Sequence, residues 1–290
     1  MKFISGTYKD MAQHKSPLPL LSLCLGILTI FGGRALLAGF VPLPYSFQFF
    51  DTLTVIGASF VLYKDYRVLR KGDWVLALAL GLAVGIGMGF ATLFSPYPFW
   101  GWVKSHWGQA VLRGTFTALA GLGGLVISRQ GGPVEFHATN GDWRKVSKEM
   151  LLGLAIGLPL AILNVFALQF TQGQSIHWQN PLAALVDAFQ PGIVEEVLYR
   201  FALWGLLWLW LRNSQPERAV WLAGVLAMLI HNYSHFDDLF IQAPLVALGM
   251  GAILALFWGL PPLILARRRG LEAAMAFHWI QDAARFLAGF

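Results

Sequence analysis

The stretch QPGIVEEVLYRFALWGLLWLWL (190–211) decides the fold class. A helix needs about 20 predominantly apolar residues to cross a bilayer. This run has that length, yet it carries Glu195, Glu196 and Arg200 near its start. A charge inside such a segment costs roughly 3 kcal/mol even on the most forgiving scale, so three of them argue for a task. Proline is tolerated in the first turn of a helix and not in its middle. Pro191 therefore predicts that a helix begins there, with 181–189 a separate short helix at the membrane interface. Glu195 and Glu196 then lie one turn inside the new helix. Two similar polar islands follow, His231 to His235 at the end of the apolar run from Trp221, and His278 to Asp282 in the last run.

Working outward, the 290 residues are 57% hydrophobic and 12% charged, against about 25% charged in an ordinary soluble domain. The 12 Trp and 22 Phe suit residues that face lipid and headgroups. Candidate spans are 17–40, 45–63, 74–95, 107–128, 150–169, 190–211, 219–233, 241–266 and 271–289. The seventh is short and the ninth amphipathic. The expectation is an all-α, polytopic transmembrane helical bundle of eight or nine helices. Residues 1–16 form a polar N-terminal segment and 17–128 the N-terminal transmembrane helices. The polar loop 129–148 leads to a C-terminal half, 149–290, that holds all three islands. The first apolar run lacks a small-residue cleavage site and reads as a retained span. Cys24 is the only cysteine, which permits no internal disulfide and disfavours a zinc-thiolate site.

The net charge of +6 does not point to nucleic acid, because the basic residues cluster in short loops. With the N-terminus inside, 16 Lys and Arg fall in inner segments, and only Lys104 falls in an outer one. By the positive-inside rule this predicts a multi-pass protein of the cell's inner or plasma membrane with a cytoplasmic N-terminus. The start of the 190–211 helix and the His231 end of its neighbour then share the outer half. Arg34 and Asp51 are expected to pair between the first two spans. Gly81, Gly85 and Gly89 recur every four residues, as close helix packing requires.

Residues four apart lie on one helical face. Glu196 can pair with Arg200, and His278 can share a cavity with Asp282 and the nearby Arg285. Glu195 is rotated by ~100° from Glu196 and is the freer carboxylate. Histidine is the usual proton-transfer group near neutral pH and the commonest metal ligand. His231 is preferred over His235 for either task because it ends the apolar run. No Gly-rich phosphate loop and no Gly-x-Ser-x-Gly elbow stands out.

Glu195-Glu196-x-x-x-Arg200, then a span ending in His231, then His278-x-x-x-Asp282, resembles the CAAX prenyl protease and bacteriocin-processing (CPBP, or Abi) family of intramembrane proteases. The likeness covers about residues 180–290. It implies a CAAX-protease-like helical region with a water-filled cavity, and peptide-bond hydrolysis without a nucleophilic side chain. Glu195 and His231 match the residues thought to activate water, His278 and Asp282 the oxyanion pair, and Glu196 and Arg200 the supporting pair. Members are often called metalloproteases. A divalent ion such as zinc would be held by Glu195, His231 and His278, with His235 as the alternative to His231. Two positions depart from the pattern. Ala227 stands where phenylalanine is usual, and Asp282 where asparagine is common. A carboxylate is a poorer oxyanion donor than an amide.

The expected function is an intramembrane endopeptidase that acts on a peptide or protein substrate among membrane lipids. The alternatives are a catalytically inactive membrane scaffold or immunity protein, and a proton-coupled transporter. The apolar inner stretches 206–211 and 255–265 argue against a polar path to both faces.

Overall fold

The computed structural model describes residues 18–38, 40–41, 43–92 and 103–290. The polar segment 1–16 lies outside the described residues. Helices dominate because lipid offers the backbone no hydrogen-bond partners, so each segment must satisfy its own. The long helices are α1 (Leu18–Leu37), α2 (Ser46–Asp65), α3 (Lys71–Phe90), α4 (His106–Arg129) and α5 (Trp143–Gln172). The short α6 (Pro181–Asp187) precedes a π-helical segment, Gln190–Leu203, that runs on into α7 (Trp204–Leu211). Next come α8 (Ala219–Tyr233) and the short α9 (Asp237–Gln242). Then α10 (Pro244–Leu254) joins α11 (Leu260–Arg269) through a second π segment, Ala255–Gly259, and α12 (Leu271–Leu287) closes the chain.

Among the described residues six helices are long and apolar enough to cross a membrane, and the protein is an integral, multi-pass, all-α membrane protein. The runs around 190–211, 219–233 and 271–289 complete the bundle. They are more polar or shorter, and they carry the ionisable groups. Leu21, Leu25, Leu28, Leu78 and Leu82 are exposed on the outer surface, where apolar side chains belong only if the surroundings are lipid.

Small residues let the helices meet. A Cβ at Gly81 would lie 2.6 Å from the Gly114 carbonyl oxygen, so α3 and α4 cross backbone to backbone. Gly153 and Gly157 do the same for α5 against Ala273 and Phe277 of α12. Gly192 matters most for function. A Cβ there would sit 2.5 Å from the Trp279 Cα, so only glycine lets the π segment approach α12 this closely. The polar loop after α4 is folded, with Val134, Phe136 and Ala138 buried. Its Glu135 carbonyl accepts from the Leu271 N–H at 2.9 Å, and the Ala138 N–H donates to Glu272 at 2.8 Å.

The expected Arg34–Asp51 pair does not form. Arg34 instead donates to the Pro44 carbonyl and lies 3.1 Å from Asp237 and 3.4 Å from Asp238. Asp51 faces Arg113 at 3.6 Å. Both partners come from outside the first helical pair, which a reading of neighbouring spans does not reach. Asp237 also accepts from the Ser46 N–H at 2.5 Å and hydroxyl at 2.7 Å.

Candidate active site

The helix that carries Glu195, Glu196 and Arg200 starts near Pro191 as the sequence predicts, but it is wound as a π-helix. π segments are rare and frequently mark functional sites. Glu196 and Arg200 still pair along it, Nη1 to Oε1 at 3.1 Å, and both side chains are at most 1% exposed.

Three elements distant in sequence bring their polar groups together. The π segment supplies Glu195, Glu196 and Arg200, α8 supplies His231, and α12 supplies His278 and Asp282. Glu195 is not the unpartnered carboxylate its spacing suggests. Its Oε2 lies 2.7 Å from His231 Nε2. Arg200 Nη1 lies 2.5 Å from His231 Nδ1. A guanidinium only donates, so Nδ1 must accept. Nε2 therefore carries the proton of a neutral imidazole and donates it to Glu195. The Tyr199 ring stacks on His231 with centroids 4.4 Å apart and holds the imidazole plane.

His278 is arranged differently. Its Nδ1 meets Glu196 Oε1 at 2.7 Å and its Nε2 meets Asp282 Oδ2 at 3.1 Å. Carboxylates only accept, so both ring nitrogens donate and the ring is an imidazolium. Asp282 also takes Arg285 Nη2 at 2.6 Å. The result is one connected chain, Arg285–Asp282–His278–Glu196–Arg200–His231–Glu195, in which formal charges alternate. Such alternation is what makes buried ions tolerable in a low-dielectric site.

The network opens on a cavity of about 600 Å³ lined by Glu195, Arg200, His231, His278 and Asp282 among others. The structure thus gathers every expected site residue at one cavity, with Glu196 buried just behind it. His235, the alternative to His231 in the sequence, is exposed and also lines the cavity, its ring 5.2 Å from that of His231. Asn164, Asp187, Asn232, Trp258, Gln281 and Arg285 line it too. Asp187 caps the end of α3, accepting from the Thr92 N–H and hydroxyl. Arg285 was visible in the sequence beside Asp282, and only its place on the same helical face as His278 could have marked Gln281. Trp258 gave no signal at all.

Glu195, His231 and His235 each offer one ligand atom within 4.8 Å of the others. His278, expected as the third ligand, is not in that group, and its two nitrogens face Glu196 and Asp282.

Residues 177–284 match the family model described as Type II CAAX prenyl endopeptidase Rce1-like. The matched region begins just before α6 and ends within α12, so it spans every residue of the network but Arg285. It supports an endopeptidase of the CAAX type acting within the membrane. No curated protein and no solved structure matches the chain significantly.

Proposed function

We propose that the chain hydrolyses a peptide bond with a water molecule activated by Glu195 and His231, in the cavity between the π segment, α8 and α12. The observation that carries this reading is the Glu195–His231 contact at 2.7 Å on the wall of that cavity. Glu195 takes a proton from water, and the hydroxide oxygen bonds to the carbonyl carbon of the scissile peptide. As the C–N bond breaks, Glu195 returns the proton to the leaving nitrogen. General acid–base assistance of this kind contributes about 10²–10⁴-fold. The Nε2–H of His231 orients the carboxylate. His278 adds fixed positive charge beside the developing oxyanion, while its N–H groups hold Glu196 and Asp282 in place.

A metal ion does not fit His231 as it is held. A ligating histidine normally donates its second N–H to an acceptor. The second nitrogen here faces Arg200, which can only donate. We therefore read Glu195, His231 and His235 as a water site.

The loop charges support a cytoplasmic N-terminus and a cavity in the outer half of the membrane. Arg129 with Asp73, Arg267 with the Pro133 carbonyl and Arg269 with Glu149 gather at the end of the bundle opposite Asp237. The substrate class is a peptide or membrane protein that presents its scissile bond from the outer side.

The test is cleavage of a randomised pool of internally quenched peptides by the protein in liposomes, run in ¹⁸O-water. Expected is one ¹⁸O in each new carboxyl group, and no products with Glu195→Ala. Products without the label, or unchanged turnover by Glu195→Ala, overturn the reading.

A further inference from the structure

Hydrolysis of a peptide bond puts negative charge on the carbonyl oxygen, and preorganised donors for that oxygen commonly supply the largest single share of catalysis. The pattern seen in this family puts an amide four residues after the last histidine, and this chain has Asp282 there. The Asp282 carboxylate donates nothing. It is engaged by His278 and Arg285. The two N–H groups of His278 are themselves taken by Glu196 and Asp282. His231 has its single N–H on Glu195, and Asn232 turns its amide to the Met228 carbonyl at 2.9 Å. The groups expected to hold the oxyanion therefore have no free donor.

Four other cavity residues do: Arg200 and Arg285 each leave a buried Nε–H without a partner among the described residues, and so do the neutral side chains of Gln281 and Trp258. Gln281 is 3% exposed, and its Nε2 is buried with no hydrogen-bond partner among the described residues. The indole Nε1 of Trp258 is buried and unpartnered in the same way. Both residues line the cavity that holds Glu195 and His231. A buried donor without a partner is destabilising, and it is retained where something else completes it. Gln281 lies three residues after His278, on the same face of α12, so it stands one position before the lost amide. Trp258 comes from the second π segment, Ala255–Gly259. A Cβ at the adjoining Gly259 would collide with the Asn232 amide, so this segment presses against the His231 end of α8.

We propose that Gln281 and Trp258 donate the hydrogen bonds that receive the scissile carbonyl oxygen and its developing charge, replacing the amide absent at Asp282. This rests on the endopeptidase reading. No new covalent step is involved. The two N–H groups bind the oxygen as it changes from carbonyl to oxyanion and release it when the carbonyl re-forms.

The test uses the full-length protein in liposomes and the one peptide that the wild type cleaves fastest from the randomised quenched pool. Gln281→Ala is expected to lower kcat about 100-fold, the lower end of the range for one lost oxyanion donor, with KM within about threefold, and Trp258→Phe at least about tenfold. Melting midpoints in detergent are expected to stay within roughly several degrees, because each change removes a donor that has no protein partner to lose. Gln281→Glu supplies a signature that a structural role would not give. It puts an acceptor in place of a donor at neutral pH, so its rate relative to the wild type should climb as pH falls and the carboxyl gains a proton. If Gln281→Ala and Trp258→Phe both keep at least a third of wild-type kcat while Glu195→Gln is inactive, the inference falls and the endopeptidase reading stands. If Gln281→Ala loses activity only through a fallen melting midpoint, and Gln281→Glu shows no pH-dependent recovery, the inference also falls. If the wild type cleaves nothing, or Glu195→Gln cleaves normally, both fall together.

Discussion

Arg200 points one guanidinium nitrogen at Nδ1 of His231, 2.5 Å away, and the same nitrogen lies 3.1 Å from Glu196. That placement decides the proton on His231. It leaves Nε2–H to face Glu195, and it links the Glu195–His231 pair to the carboxylate that holds His278. Arg200 is thus the joint between the two halves of the network, although it need not touch substrate.

Arg200→Ala would take one of two cationic partners from Glu196, whose side chain has no solvent exposure, and leave it on His278 alone. Breaking a buried pair from one side costs about 3–5 kcal/mol. The expected result is a clear fall in the melting midpoint in detergent. Arg200→Lys should keep more stability than Arg200→Ala. It should still lower kcat, because the ammonium of a shorter side chain does not reach the position from which one guanidinium nitrogen meets both partners.

Chelation separates the water-only account from a metal enzyme. Incubation with EDTA or 1,10-phenanthroline should leave the cleavage rate within about twofold, and added zinc should not raise it; a catalytic metal would instead be expected to lower the pKa of its bound water toward about 7 and to be indispensable. Loss of activity that returns on adding zinc would show that Arg200 swings away from His231.

Arg34 and Asp237 fasten α1 to the segment that carries His235, and both are nearly buried, at 7% and 4% exposure of the side chain. Each of Arg34→Ala and Asp237→Ala should destabilise by about 3–5 kcal/mol, and the double variant by much less than the sum. Thermal melts of the four proteins of that cycle test this. Additive losses would mean that the two residues do not interact.

Helix packing offers a check remote from the site. Gly81→Leu must push a side chain into the Gly114 carbonyl and Ala118, where a single Cβ is already within 2.6 and 2.8 Å. Overpacking costs roughly 1–3 kcal/mol or more. Gly26→Leu, where nothing lies within 4 Å, should leave the melt unchanged.

The fold class was legible because crossing a membrane demands long apolar runs, and those are visible without a structure. The meeting of Glu195, His231 and His278 was legible for the related reason that charge in such runs must find partners. The winding of Gln190–Leu203 was not legible, since a π-helix and an α-helix use the same residues. Nor was the partner of Arg34. Hydropathy shows which residues are in the bilayer and says nothing of which distant helix they face. Gln281 and Trp258 were invisible for a further reason. One is an ordinary polar residue on an amphipathic helix and the other an ordinary aromatic in a membrane span. Only the absence of a partner sets them apart, and that is a property of the packed structure.

The central claim is that Glu195 carries the proton of the attacking water. Its most direct test is the single-turnover rate of Glu195→Gln on the best cleaved peptide, measured in liposomes beside the wild type with melts to confirm that both are folded. Expected is a loss of at least about 10²-fold, the lower bound for removing a general base. A folded Glu195→Gln protein that cleaves within a few-fold of the wild-type rate would contradict the account.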